Sequence, residues 1–277
     1  MDDAPTDAAN SPREPAAALD VMAVRQGIAG LRLGDPLIYF PATGSTNTYL
    51  MERARAGAAE GMAVTADDQT AGRGRMGRTW KALPGQQLIL SLLLRSLSPP
   101  QFVMMASSVA MAEAIEQVTA LPTTLKWPND VLVHGRKVCG ILIETGEGAA
   151  VVGMGLNVNG SLADDPELGA RATTLADALG ATVSREALAI ALLSRLDTLY
   201  YTLQTDGVAG RETVRELWRA RLGMLGRQVV IHQNVVHSTN REQTTLTGIA
   251  EGVDADGALI LIGGDGQRRT ITWGDIE

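Results

Sequence analysis

The chain has 277 residues, 45% of them hydrophobic, and 24 Lys+Arg against 31 Asp+Glu give it a net charge of -7. That length suits one large domain with a full core plus a small one. The acidic balance disfavours general polyanion binding, which depends on neutralising phosphates. The single cysteine, Cys139, excludes an intrachain disulfide; no Cys/His cluster has zinc spacing, and no apolar run reaches membrane-spanning length. These features suit the cytoplasm.

Met1 to Pro15 is polar, carries Pro5, Pro12 and Pro15, and lacks the order of a signal peptide; it reads as a disordered tail. Ala16 to Ala29 reads as one short helix, bounded by Gly30 and Gly34. Leu37 to Phe40 is a short strand. Ser45 or Thr46 caps a helix that begins near Asn47 and ends by Gly57, and Met62 to Ala66 is a strand.

From Gln69 to Trp80 the chain reads Q-T-A-G-R-G-R-M-G-R-T-W. Arg73, Arg75 and Arg78 alternate with Gly72, Gly74 and Gly77, a composition that suits neither helix nor strand. Glycine lets backbone N–H groups approach a ligand, and each guanidinium is a planar, permanently charged fork that matches carboxylate or phosphate. A solvated surface loop accounts for the flexibility and charge. A mobile cationic loop that closes over an anion also accounts for the regular alternation.

Leu88 to Leu94 is a buried strand. Pro99 and Pro100 open an amphipathic helix that runs to about Thr119, its methionines serving as core filler. Leu125 to Trp127 is a strand ended by the turn Pro128-Asn129-Asp130. His134-Gly135 marks a hairpin between Val131–Val133 and Val138–Ile143, with His134 as a turn residue. On position alone, Lys137 at a strand start is a solvated lysine. Cys139 packs rather than reacts. Ala149 to Asn157 alternates Val151 and Gly153 with Val152, Met154 and Leu156, as a strand ending at a site does. Gly160 to Ala172 is a loop. Ser184 caps a long helix through Leu199, and a second spans Val208 to Leu222. Beyond Gly223 to Gly226, short β-like runs (Gln228–His232, Thr244–Val253, Ala258–Ile262, Arg268–Trp273) alternate with Gly/Asp turns, the pattern of a small β-barrel.

The arginine segment resembles the G-R-G-R-x-G-R-x-W signature of biotin–protein ligases. Further matches follow in order: Ser45-Thr46-Asn47, Gln69, Lys126-Trp127-Pro128-Asn129-Asp130, Lys137-Val138-Cys139-Gly140-Ile141-Leu142 and Gly153-Met154-Gly155-Leu156-Asn157. The resemblance is strong from Leu37 to Asn157. It implies an α+β fold, with a class II aminoacyl-tRNA-synthetase-like catalytic domain over 35–223 and an SH3-like barrel over 224–277. Residues 1–34 then form the tail and short helix. There is no room before the catalytic motifs for a winged helix, so no specific DNA binding is expected.

The resemblance also implies an activity: biotin and ATP, with Mg²⁺, form biotinyl-5′-AMP, and biotin passes to a lysine of the biotin carboxyl carrier domain of a carboxylase. Lys137, Arg73 and Arg75 would be catalytic. Ser45, Thr46 and Asn47 would hold biotin's ureido ring, which needs both donors and acceptors, with Gln69, Gly72, Gly74 and the three catalytic residues around it. Arg73, Arg75, Arg78, Trp80, Asn129, Asp130, Lys137 and Asn157 would hold ATP, and Asp130 the metal. Plain turn and cap chemistry explains Asn129, Asp130, Asn157 and Ser45 equally well. Met76 stands where many relatives have a basic residue, and no aromatic between Gly160 and Ala172 supplies a wall for adenine. The rival readings are a lipoate or octanoate ligase or transferase of the same fold, and an RNA-binding module resting on the arginine loop alone. Whether the chain acts as a monomer or a homodimer stays open.

Overall fold

The computed structural model describes residues 17–81, 83–95, 99–146, 148–237 and 240–277, apart from the side chains of 234–243. The tail expected over Met1–Pro15 lies outside the described residues. The short helix after it is α1 (Val21–Gly27), capped by the Asp20 carboxylate on the Ala23 N–H. Next come β1 (Leu37–Phe40), α2 (Thr46–Arg55), β2 (Ala63–Ala66) and β3 (Gln87–Leu94). After these lie α3 (Pro100–Thr119), β4 (Thr123–Lys126), β5 (Asp130–Val133), β6 (Arg136–Gly146) and β7 (Ala149–Asn157). Helices α4 (Leu175–Leu179), α5 (Arg185–Thr205) and α6 (Gly207–Arg219) complete the larger unit.

The first seven strands form one mixed sheet in the order β1-β2-β3-β7-β6-β5-β4. Only β1 and β2 run parallel; the remaining pairs are antiparallel. The β5–β6 hairpin turns at His134 (φ 50°) and Gly135 (φ 74°), the pair of positive φ values that a two-residue type I′ turn requires.

Strand β3 explains why the site faces one way. Every residue in it is buried, and period-2 alternation splits it between two faces. Leu88, Leu90, Leu92 and Leu94 join the main core on the side where α5 packs on β3. Gln87, Ile89 and Ser91 point to the opposite face, where α2 packs on β3 and β7. Strands β6 and β7 continue that second face through Gly140, Leu142 and Glu144, paired with Gly155, Gly153 and Val151.

Helix α3 departs from the expected amphipathic pattern. Thirteen of its residues are buried, because it is covered by the sheet on one side and by α5 and α6 on the other. A helix enclosed in this way is apolar nearly all round. Ser184 caps α5 by accepting the Ala187 N–H at 3.1 Å. Helix α6 stops at Arg219 rather than Leu222, since residues 221–223 turn to pair with β4: Leu125 N–H donates to Arg221 O and Gly223 N–H to Leu125 O.

The C-terminal strands β8 (Gln228–His237), β9 (Asn240–Val253), β10 (Leu259–Gly263), β11 (Arg268–Ile271) and β12 (Asp275–Ile276) form a five-stranded antiparallel sheet in the order β11-β10-β9-β8-β12. Two-residue β12 gave no sequence signal. Trp127 joins the two units: its Nε1–H donates to Gly257 O at 3.0 Å. The architecture is thus α+β, a mixed sheet with helices followed by a small antiparallel domain. Among the described residues, no helix is long and apolar enough to cross a membrane.

Candidate active site

A cavity of about 1090 Å³ opens on the second face of the large sheet. Its floor is β6 and β7. Its walls are the N-terminus of α2, the arginine loop, the Lys126–Asp130 turn, residues 167–172 and the end of the C-terminal domain. Every residue to which the sequence gave a site role lines it except Gly72. Gly72 lies behind Trp80: a Cβ there would sit 2.9 Å from Trp80 O.

On one wall runs a chain of neutral polar groups that ends in charge. Gln69 Oε1 accepts from the Thr46 N–H at 2.8 Å and the Thr46 hydroxyl at 3.0 Å. Ser91 Oγ lies 2.7 Å from both Thr46 Oγ1 and Asn47 Oδ1. Asn47 Nδ2 donates to Glu144 at 2.8 Å, and Glu144 pairs with Arg73 at 2.9 Å. Arg73 also donates to Thr48 Oγ1 at 2.8 Å. Asn47 is itself buried, with one amide N–H and one Oδ1 lone pair already taken by Glu144 and Ser91. Ser45 caps α2 through a long bond from the Thr48 N–H.

The opposite wall is cationic. Lys137 Nζ lies 2.6 Å from Asp130 Oδ1 and 5.8 Å from the centre of the Trp80 ring. It is therefore no solvated strand-start lysine. Its backbone takes residues 171–173 as an extra partner, giving its N–H to Arg171 O and accepting from Thr173. Arg75 donates to Asn129 Oδ1 at 3.0 Å, while Asn129 Nδ2 donates to Ile141 O at 2.8 Å. Burial lowers the pKa of Arg75, with Asp130 opposing and Arg78 adding to the effect. Burial likewise lowers that of Lys126, against the pull of Asp130 and with Lys137 reinforcing it. Crowded cations short of water favour the arrival of an anion.

Trp80 forms the third boundary. Its indole lies flat on the sheet because the floor has no side chains there: a Cβ on Gly155 would sit 2.6 Å from Trp80 Cε2, and one on Gly140 3.0 Å from Cζ3. Trp80 Nε1–H donates to Gln87 Oε1 at 3.0 Å, and Gln87 Nε2 donates to Asn157 Oδ1 at 3.0 Å. Asn157 Nδ2 goes on to Thr173 O at 3.2 Å. Asn157 keeps one N–H and one lone pair for a ligand. Cys139 is buried, and burial pushes its thiol up, which suits packing rather than nucleophilic work.

The arginine loop is built, not shapeless. Residues 75–77 form a 3₁₀ turn with Met76 at φ 57°, and Arg73 bridges to Thr79. Carboxylates from distant elements hold it: Glu144 on Arg73, Asp275 on Arg78, and Glu167 on the following Lys81.

The sequence reading overlooked Gln87, Ser91, Glu144 and Asp275. The first two carried a signal, as polar residues inside the apolar run Q-L-I-L-S-L-L-L. Glu144 shares strand parity with Gly140, which could have placed it on the same face. For Asp275 no local signal exists.

Residues 39–161 match the model of the biotin/lipoate A/B protein ligase family, and residues 236–277 match the biotin protein ligase C-terminal domain. The bifunctional ligase/repressor BirA of Bacillus subtilis is 34% identical over 268 residues, covering 92% of this chain and 77% of its own. The biotin–[acetyl-CoA-carboxylase] ligase of Mycobacterium tuberculosis is 34% identical, covering 93% and 95%. Among solved structures, the biotin protein ligase of Aquifex aeolicus in complex with biotin and ATP superposes with a TM-score of 0.73 at 27% identity, covering 87% of this chain and 97% of its own.

Proposed function

Since the chain belongs to the biotin protein ligases of the biotin/lipoate A/B protein ligase family, we propose how its own residues carry out ATP-dependent biotinylation. The enzyme joins biotin to ATP as biotinyl-5′-AMP and passes the biotinyl group to a lysine amine of a carrier domain. The observation that supports the assignment of parts is that one cavity carries a neutral polar wall on one side and, on the other, a cationic wall that includes Lys137.

In this reading biotin's ureido group lies along the Ser45–Gln69 wall and its carboxylate reaches Lys137. The carboxylate attacks the α-phosphate, and pyrophosphate leaves. Both reactants are anions, so Lys137, Arg75 and Arg78 offset their repulsion and stabilise the charge that develops. Lys137 is the central group. A compact ammonium follows charge from one acceptor to another better than a fixed fork does. Asn129 holds Arg75 in place. Trp80 supplies a flat apolar wall for adenine, the role for which residues 160–172 offered no aromatic, and Asn157 reads the purine edge. In the second step the acceptor lysine attacks the anhydride carbonyl and AMP leaves. The anhydride is already activated, so positioning and exclusion of water do most of the work.

Mg²⁺ would be carried in with the phosphates of ATP. No three His, Cys, Asp or Glu side chains converge on a metal cage among the described residues, and Mg²⁺ ordinarily needs only one or two carboxylates beside substrate phosphates and water. Asp130 is the carboxylate that would serve. The chemistry the ion supplies is neutralisation of phosphate charge.

Incubating the protein with biotin, MgATP and a biotin carboxyl carrier domain, then weighing the carrier, tests this reading. A mass gain of one biotinyl group is expected; an unmodified carrier with no pyrophosphate released would refute it. Thermal stabilisation by biotin and none by lipoate separates the lipoate alternative. The RNA-binding alternative loses its basis, because the arginines face a cavity and are held by carboxylates.

The indole wall makes its own prediction. In Gly155→Ala the new methyl displaces Trp80, and overpacking of this kind costs about 1–3 kcal/mol. The strain falls on the loop rather than on the central strand. ATP affinity in the presence of biotin should drop by roughly tenfold with little change in melting temperature. Unchanged affinity in calorimetry would show that the indole is not the adenine wall.

A further inference from the structure

We propose that Asp275 is a positioning residue for the nucleotide: its carboxylate stands in for phosphate on Arg78 and Arg75 until ATP arrives. The inference rests on the biotin-ligase reading and adds a residue from the C-terminal domain to it.

The geometry is that of an anion already seated in the cationic wall. Asp275 Oδ2 is in direct contact with Arg78 Nη2, and Asp275 Oδ1 is 3.9 Å from Arg75 Nη1. Arg75 Nη2 also reaches Gly274 O at 3.5 Å. The carboxylate's position is set from outside the loop. It sits on β12, which is held by β8 through the pairs Asp275–His232 and Ile276–Ile231. The two ends of the arginine loop therefore answer to different bodies. Arg73 is fixed by Glu144 of the large sheet and Arg78 by Asp275 of the small domain, while Arg75 lies between them, bonded to Asn129 and approached by Asp275.

A carboxylate offers a guanidinium the same two-oxygen edge as phosphate, but with a single charge. The pair is half exposed: the Arg78 and Asp275 side chains keep 59% and 32% of their accessible surface. An exposed pair of this kind contributes little to stability, so a more highly charged anion displaces it readily. The triphosphate of ATP is such an anion. When pyrophosphate leaves, Asp275 can reclaim both arginines and oppose rebinding.

Asp275→Asn keeps the shape and removes the charge that competes with phosphate. The KM for ATP in pyrophosphate release should fall about three- to tenfold while the KM for biotin stays fixed. Asp275→Glu, which restores the charge, should return the ATP value toward that of the wild type. A merely structural role would move both KM values, or neither. An ATP KM in Asp275→Asn equal to or above the wild-type value would overturn the proposal. Calorimetry with inorganic pyrophosphate alone separates this failure from failure of the activity itself. Tighter pyrophosphate binding by Asp275→Asn supports the placeholder even in a protein that forms no adenylate, and equal or weaker binding refutes it.

Discussion

Lys137→Ala is expected to lower the rate of biotin-dependent pyrophosphate release by roughly 10²–10³, the usual loss for one preorganised donor at a developing charge. The reason is placement. Lys137 lines the cavity on its cationic wall, 2.6 Å from Asp130 and 5.8 Å from the centre of the Trp80 ring. Its side chain is about a third exposed, so truncation opens no core cavity, and the melting temperature should change little. Removing the ammonium also leaves Asp130 without its nearest cation, which adds repulsion toward ATP. The measurement is a coupled pyrophosphate assay at saturating biotin and ATP, with circular dichroism to confirm the fold. Wild-type rates from a folded Lys137→Ala protein would remove Lys137 from the mechanism.

The largest stability effect is expected at Arg185, far from the chemistry. Its side chain is 6% exposed and pairs with Asp67 at 2.6 Å. It also donates to Ala17 O at 2.6 Å and Gln87 O at 3.3 Å. Asp67 in turn accepts the Tyr39 hydroxyl at 2.7 Å. One guanidinium thus ties α5, β2, β3 and the segment before α1 together. Arg185→Ala leaves the largely covered Asp67 carboxylate with no cation, and breaking a buried pair from one side costs about 3–5 kcal/mol. A fall in melting temperature of roughly 10 °C or more should follow. The double variant Arg185→Ala/Asp67→Asn should recover part of the loss, because the stranded charge is gone. A shift of only a degree or two in the single variant would show that the pair is not a structural tie.

What the sequence made legible was local. The Ser45 and Ser184 caps, the His134-Gly135 hairpin and the alternation of Val151 to Leu156 each depend on neighbours within a few positions, and each appears in the fold. Features set by distant partners were not legible. Helix α3 reads as amphipathic until α5 and α6 cover its outer side. The arginine loop reads as open chain because its counter-ions come from Glu144, 71 positions away, and Asp275, 197 away from Arg78. Asn47 and Asn157 read as free recognition amides, yet Ser91, Glu144, Gln87 and Thr173 already hold them. A side chain's type announces what it can bond to, but only the fold decides what is left over for a ligand.

The glycine floor has a consequence for how this enzyme could change. Gly140, Gly153 and Gly155 already carry the smallest side chain available, so every substitution there raises the floor and none lowers it. Selection for a bulkier substrate analogue has no enlarging step to take at these three positions. It must act elsewhere, through Leu142 of β6, the 167–172 segment or the arginine loop. Adaptation toward larger substrates therefore draws on the segments that also exclude water, and a wider site should come with a leakier intermediate.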